Sequence, residues 1–148
     1  MIKNKITHLI VVALAIGAMI LPWGAVLRYM DIENGLKTAS LKTFSFFDPT
    51  VFSNGNYTPL ICAVLTVVLF LLLLFSFFGN ESKGINIALT ALSIVATILS
   101  LLPPVLYGFE FFSTTAMAIF YLLLCSSVMS VQRLTGKYFA TEDEETEE

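Results

Sequence analysis

The sequence predicts an all-α membrane protein: a four-helix transmembrane bundle with a small extracellular β-ribbon in its first loop. Of its 148 residues, 57% are hydrophobic and only 13% are charged, whereas an ordinary soluble domain has about 25% charged residues. The apolar residues gather into four stretches of about 20 residues, the length that a helix needs to cross a hydrocarbon core roughly 30 Å thick. With a mean hydropathy of +0.84, the composition excludes a soluble, disordered or disulfide-stapled secreted protein.

The predicted spans cover residues 6–27, 59–78, 85–106 and 111–131, within one membrane domain of residues 1–140. Helices are expected because lipid offers no hydrogen-bond partner to exposed backbone amides. Thr58-Pro59 is typical of a helix start and Gly79 of a helix stop. Pro103-Pro104 is expected to end or kink the third span.

Basic residues orient the spans. One side carries five of them and the other three, so the positive-inside rule predicts a multi-pass protein of the plasma membrane with both termini cytoplasmic. The five are Lys3, Lys5, Lys83, Arg133 and Lys137, and the three are Arg28, Lys37 and Lys42. A cleaved signal peptide is the alternative for span one, but its apolar run continues to Leu27, past an ordinary signal-peptide core.

The loop of residues 29–57, predicted to lie outside, contains Asn34-Gly35 and Asn54-Gly55, and Asn-Gly favours tight hairpin turns. The residues on either side alternate as in a strand, with Phe44 and Phe46 on one face. We therefore predict a small antiparallel ribbon over the outer helix ends. The rival is an amphipathic helix, which Gly35 in its middle weakens.

The same loop is rich in aromatic residues and, with Arg28 at its start included, electrically neutral, so no nucleic-acid partner is expected. The favoured interpretation is that the aromatic residues fold the loop onto the helix ends. The alternative is an exposed surface that contacts a partner protein. The candidate contact residues are Phe44, Phe46, Phe47, Phe52 and Tyr57.

Span three carries the most regular pattern. Its polar residues recur at spacings of 4, 3, 4 and 3, which places them on one stripe of a helix: Asn86, Thr90, Ser93, Thr97 and Ser100. Such residues let helices approach closely and hydrogen-bond across the contact. The stripe is expected to pack inside one subunit, or alternatively to form an oligomer seam or a pore wall. Ala13 and Gly17 offer a matching small-residue surface on span one.

Span four shows a further set of residues at helical spacing, Thr114, Ala118, Tyr121 and Cys125. Cys62 and Cys125 lie at different predicted depths, too far apart for a disulfide. Both are interpreted as small packing residues.

The interiors of the four predicted spans contain no aspartate, glutamate, lysine or arginine. His8 is the only histidine and is expected to be solvated at the inner interface. No catalytic constellation, metal site or cofactor is predicted, and an ion-coupled transporter is disfavoured because its coupling groups would lie at depth. Residues 141–148 contain six acids and are expected to form a disordered tail, with docking of a basic partner as the alternative.

Three segments of the first half carry a resemblance: Leu21-Pro22-Trp23-Gly24, Thr43-Phe44-Ser45-Phe46-Phe47-Asp48 and Asn54-Gly55-Asn56-Tyr57-Thr58-Pro59-Leu60. With them the chain resembles small four-span membrane proteins of low-GC Gram-positive bacteria, a set that carries no established activity. The layout is also similar in outline to the claudin family. The first loop here has no cysteine, so the loop disulfide of that family is absent and the likeness is one of architecture.

The sequence thus predicts a non-catalytic protein that serves as an accessory or interaction subunit of a membrane complex, with an immunity-type protein as one version. The expected partners are the lipid bilayer and another membrane protein or a second copy. The alternative is a small homo-oligomeric pore or transporter lined by the stripe of span three.

Overall fold

The computed structural model describes residues 2–33, 36–53, 55–79 and 82–138. These residues form a mostly helical fold with one small antiparallel sheet, as predicted. The elements in chain order are α1 (Ile2–Ile20), β1 (Ala25–Glu33), β2 (Leu36–Phe44), α2 (Pro49–Ser53), α3 (Thr58–Phe78), α4 (Lys83–Tyr107), a 3₁₀ turn (Phe109–Phe111) and α5 (Thr114–Tyr138). The predicted acidic tail, residues 141–148, lies outside the described residues.

Three helices, α3, α4 and α5, are long and apolar enough to cross a membrane, while the apolar helix Asn4–Ile20 is shorter. The first span was expected to extend to Leu27, but α1 ends at Ile20. Pro22 follows closely and disfavours helical backbone before it. The apolar residues Ala25–Leu27 instead begin β1 and are buried there.

Helices α1, α3, α4 and α5 pack in a ring, because α1 and α4 each contact both α3 and α5. One core cluster, near the strands, includes Met19, Phe46 and Ile119. A second cluster, toward the other end, includes Leu69 and Leu89. We call the end that carries the strands the ribbon end and the opposite end, where α1 begins and α5 ends, the terminal end.

The ribbon is antiparallel, paired from Ala25 with Phe44 to Glu33 with Leu36. This pairing confirms the predicted ribbon over the rival helix, and the Asn34-Gly35 dipeptide between the strands lies outside the described residues. No second hairpin forms in the described part of the loop, since α2 occupies the residues before Asn54, itself outside that part. Gly55 follows with a φ of 88°, which glycine adopts without strain.

α2 is held at its start by Asp48. The backbone N–H of Thr50 donates to the Asp48 carboxylate over 2.8 Å, an N-terminal cap of a common kind. Hydrogen bonds from the Thr50 side chain and then its backbone hold the pKa of the Asp48 carboxyl below its ordinary value.

The third predicted span ends differently from expectation. α4 continues through Pro103 and Pro104 to Tyr107. It ends at Gly108, whose φ of 107° favours glycine and whose N–H donates to the Pro104 carbonyl over 3.1 Å. A glycine, and not the two prolines, therefore ends this helix.

Candidate functional site

The polar stripe of α4 is buried within the chain. All five of its residues have an exposed fraction of 9% or less, namely Asn86, Thr90, Ser93, Thr97 and Ser100. An oligomer seam or pore wall would need this stripe at the surface of the monomer. The structure places it instead in contact with the neighbouring helices of the same chain.

Most hydroxyls of the stripe hydrogen-bond along their own helix. Ser93 donates to the Thr90 carbonyl over 2.9 Å, and Ser100 donates to the Thr97 carbonyl over 2.7 Å. Two bonds cross to α5. The Thr90 hydroxyl donates to the Ser130 carbonyl over 3.3 Å, and the hydroxyls of Thr97 and Ser127 lie 2.9 Å apart. The stripe therefore joins α4 to α5 through few, specific contacts.

The buried polar face of α5 consists of Ser126, Ser127 and Ser130, all with an exposed fraction of 7% or less. The face inferred from the sequence lies elsewhere, since Tyr121 is 62% exposed and Cys125 is also at the surface. The sequence feature that indicates the buried face of α5 is the helical spacing of Ser126, Ser130 and Arg133, which follow one another after four and three residues.

Ala13 and Gly17 point away from the bundle. Both are exposed, and a Cβ added to Gly17 would meet nothing within 4 Å. They do not contact the stripe of α4. The closely packed glycine is Gly24, where an added Cβ would lie 2.8 Å from Cδ1 of Phe46.

The loop aromatics mostly fold inward. Phe46 is 2% exposed, and Phe44 and Phe47 are half-buried against the core near the strands. Tyr57 is exposed, whereas nothing is described of the side chain of Phe52. Phe46 is therefore closed to a partner, as the favoured interpretation of the loop expected.

The base of the ribbon is fastened to the helices by polar contacts. The Arg28 guanidinium forms an ion pair with Glu110 and lies 5.8 Å from the ring centroid of Phe111. The Ser113 hydroxyl donates to the Gly24 carbonyl over 3.0 Å. These contacts fix the direction in which the ribbon leaves the bundle.

One face of the ribbon exposes apolar side chains. Met30 pairs with Ala39 and Arg28 with Leu41, so Met30, Ala39 and Leu41 share this face with the cations Arg28 and Lys37. Met30 is 72% exposed and Leu41 is 46% exposed. We call Met30, Ala39 and Leu41 the ribbon patch. Neither the sequence motifs nor the aromatic residues of the loop indicate this patch.

At the terminal end, His8 is buried, whereas the sequence predicted a solvated histidine. It is 2% exposed, and its Nε2 lies 2.8 Å from the Ser126 hydroxyl on α5. The bond joins the neighbouring helices α1 and α5. No local sequence pattern indicates this contact, because His8 and Ser126 lie 118 positions apart.

A cavity of about 640 Å³ opens between α1 and α5 beside this bond. Asn4, Lys5, Thr7 and His8 line it from α1. Met129, Gln132, Arg133 and Gly136 line it from α5. We call it the α1–α5 cavity.

Arg133 also contacts a third helix, since its guanidinium donates to the Ser76 hydroxyl of α3 over 2.6 Å. Ser76 is itself fully buried. The bond fixes one edge of the guanidinium beside the cavity.

Among the described residues, no group of three or more histidine, cysteine, aspartate or glutamate side chains is arranged to hold a metal ion. Cys62 is buried and Cys125 exposed, both as free thiols. No family model, curated protein or solved structure matches this chain.

Proposed function

We propose that this chain is a multi-pass membrane protein that acts as a non-catalytic accessory or interaction subunit of a membrane complex. The lipid-facing surface would be the outward faces of α1, α3, α4 and α5, which carry large apolar side chains between 40% and 74% exposed. These include Ile10, Leu14, Val64, Leu71, Phe75, Ile94, Ile98, Val105, Leu124 and Val128. In water such a surface would drive aggregation, whereas in lipid it is the expected solvent contact.

The charges support the same placement. Every charged residue in the described part of the chain lies at the ribbon end or the terminal end. The basic residues at the terminal end outnumber those at the ribbon end by five to three, which favours a cytoplasmic terminal end.

The observation that carries the interaction role is the ribbon patch. A two-stranded ribbon is marginally stable alone in water, and its outer strand edges have no neighbouring strand in the described part of the chain. Exposed apolar side chains beside an open strand edge form a surface that partner proteins extend or cover. A protein that shields a membrane target from a toxin would use such a surface.

The pore alternative gains less support. A pore lined by the stripe of α4 needs its hydroxyls to face a common axis between subunits. In this chain Thr97 faces Ser127 of α5, and the stripe is buried in the monomer.

Gentle extraction in detergent from the native membrane, followed by mass analysis, tests the proposal. We expect a second, different protein to accompany the chain. The double variant Met30→Lys with Leu41→Lys should reduce its recovery roughly tenfold, because two charges would enter an apolar contact.

Thr38→Lys is the matched control, since Thr38 is exposed on the opposite face of the same ribbon. It adds one positive charge, as Met30→Lys alone does, and should retain the partner. Recovery of the chain alone or with further copies of itself would oppose the accessory role, and conductance in liposomes would then be the relevant assay.

A further inference from the structure

A groove runs along the free edge of β1. Its volume is about 500 Å³, and five consecutive residues of the strand line it, from Val26 to Met30. Successive side chains of a strand point to opposite faces, so a groove that contacts all five residues lies along the edge of the strand and not over one face. No described residue of β2 lines it. The groove therefore lies on the side of β1 that faces away from β2, and we call it the β1 groove.

The backbone of β1 presents hydrogen-bonding groups to this groove. Glu33 pairs with Leu36 across only two intervening residues, and a connection this short follows a pair that exchanges both of its hydrogen bonds. Such pairs alternate along an antiparallel ladder with pairs whose N–H and C=O groups point outward. The outward-facing residues within the groove are Val26, Arg28 and Met30. In the part of the chain that the structure describes, no hydrogen bond involves these backbone groups.

The wall that faces β1 across the groove is largely aromatic. It consists of Gly55 and Asn56 before α3, Tyr107 at the end of α4 and Phe111 in the 3₁₀ turn. The Tyr107 hydroxyl donates to the Gly55 carbonyl over 3.4 Å, and the ring centroids of Tyr107 and Phe111 lie 5.7 Å apart. A segment in the groove would thus have a strand edge on one side and aromatic rings on the other.

The charges of the groove are balanced. Arg28 is the one charged residue among the described residues that line it, and its guanidinium forms an ion pair with Glu110. A charged side chain in the groove would find no free counter-ion among them. Uncharged side chains are therefore the complement of this wall.

The layout favours one strand as the occupant. From Val26 to Met30 the edge extends roughly 14 Å at about 3.4 Å per residue, the length of an ordinary short strand. A strand added to β1 would lie about 4.8 Å away, and β1 of a second copy would bring its own β2 about 4.8 Å further, toward Gly55 and Tyr107. The wall thus favours a single extended segment over the paired ribbon of a second copy.

We propose that the β1 groove binds one extended, uncharged segment of the partner protein, which adds to the ribbon as a third strand. The segment's backbone would pair with that of Val26, Arg28 and Met30, and its side chains would lie against the aromatic wall. Met30 belongs to both the groove and the ribbon patch, so the same partner would extend the edge and cover the patch. The inference rests on the proposed function, because it specifies how the partner of that function is bound.

Amide hydrogen exchange of the native chain, resolved to single residues, tests the third strand by comparing the extracted complex with the purified chain alone. The amides of Arg28 and Met30 should exchange roughly tenfold or more slowly in the complex, because their N–H groups become hydrogen-bonded. Leu41 and Ala39, paired with them across the ribbon, have their N–H groups at the β2 edge and should not change. Equal slowing at both edges, slowing at the β2 edge alone, or no slowing would overturn the proposal.

Proline substitutions test the same hydrogen bonds in the native membrane. Proline removes an N–H, and an edge strand tolerates it where that N–H points away from the neighbouring strand. Met30→Pro should lower recovery of the partner roughly tenfold relative to Met30→Ala, which shortens the side chain and keeps the N–H. Ala39→Pro is the matched control, since it removes an outward N–H from the β2 edge of the same residue pair, and it should retain the partner.

Slow exchange of the Tyr29 amide, which points toward β2, shows that the ribbon stays paired in each variant. Equal recovery with Met30→Pro and Met30→Ala would contradict the third strand. If Met30→Pro unpairs the ribbon, the exchange of the native chain decides alone.

The outcomes separate this inference from the proposed function. A partner that is lost with the double lysine variant of the ribbon patch but leaves the amides of Arg28 and Met30 unprotected would support the accessory role and overturn the third strand. Recovery of the chain alone, or only with copies of itself, would overturn both. Slowed amides in such an assembly would assign the groove to a second copy.

Discussion

At the scale of single residues, two serines one turn apart on α5 should have opposite effects on stability. The Ser126 hydroxyl bonds to His8, whereas the Ser130 hydroxyl is buried without a hydrogen-bond partner among the described residues. Ser126→Ala leaves a buried histidine nitrogen unsatisfied and should lower the free energy of unfolding by about 1–3 kcal/mol. Ser130→Ala removes an unsatisfied group and should be neutral or stabilising. Unfolding in mixed micelles measures both, and equal losses would contradict the assigned bonds.

Gly17 in α1 and Gly24 in the turn after α1 should respond differently to an added methyl group. Gly24→Ala places a Cβ 2.8 Å from the buried ring of Phe46. Overpacking of this kind typically costs about 1–3 kcal/mol. Gly17→Ala is the control, because its Cβ has open space and alanine favours a helix by about 1 kcal/mol. Thermal unfolding should move down for the first variant and stay level or rise for the second.

At the scale of elements, the contact of α4 with α5 depends on the bond between Thr97 and Ser127. Thr97→Val should cost about 1 kcal/mol or less, the usual strength of a hydrogen bond between membrane helices. A double-mutant cycle with Ser127→Ala should return a coupling of about 0.6 kcal/mol. A parallel cycle pairing Ser100 with Ser127 should return none, because the Ser100 hydroxyl donates within its own helix. Similar coupling in both cycles would refute the pairing.

The elements themselves were largely predictable because their signals are local. Apolar length located α3, α4 and α5, and Asn34-Gly35 with strand-like alternation located the ribbon. The end of α1 was misjudged because an apolar run serves a strand as well as a helix. Ala25–Leu27 is apolar in the sequence, but its burial is that of a strand packed on helix ends.

At the scale of the whole molecule, one exposed leucine separates a membrane bundle from a water-soluble one. Leu71 lies in the middle third of α3 and is 58% exposed. In water Leu71→Lys would be harmless, whereas in a membrane a central lysine costs about 2.5–3.5 kcal/mol on insertion. We expect the variant to be inserted poorly and degraded. Lys83→Leu is the control, because Lys83 lies at the terminal end. Normal amounts of a soluble Leu71→Lys protein would refute insertion.

The sequence by itself determined the mostly helical fold, the three long apolar helices and the ribbon, because composition, period and turn residues act over short stretches. The tertiary structure decided which face of each helix turns inward. In α3 nearly every residue is apolar, so its sequence does not distinguish buried Leu69 from exposed Leu71. Contacts between distant segments made the other decisions. The burial of His8 against Ser126 and the cavity beside Arg133 require α1 and α5 to meet, and no local pattern encodes that meeting.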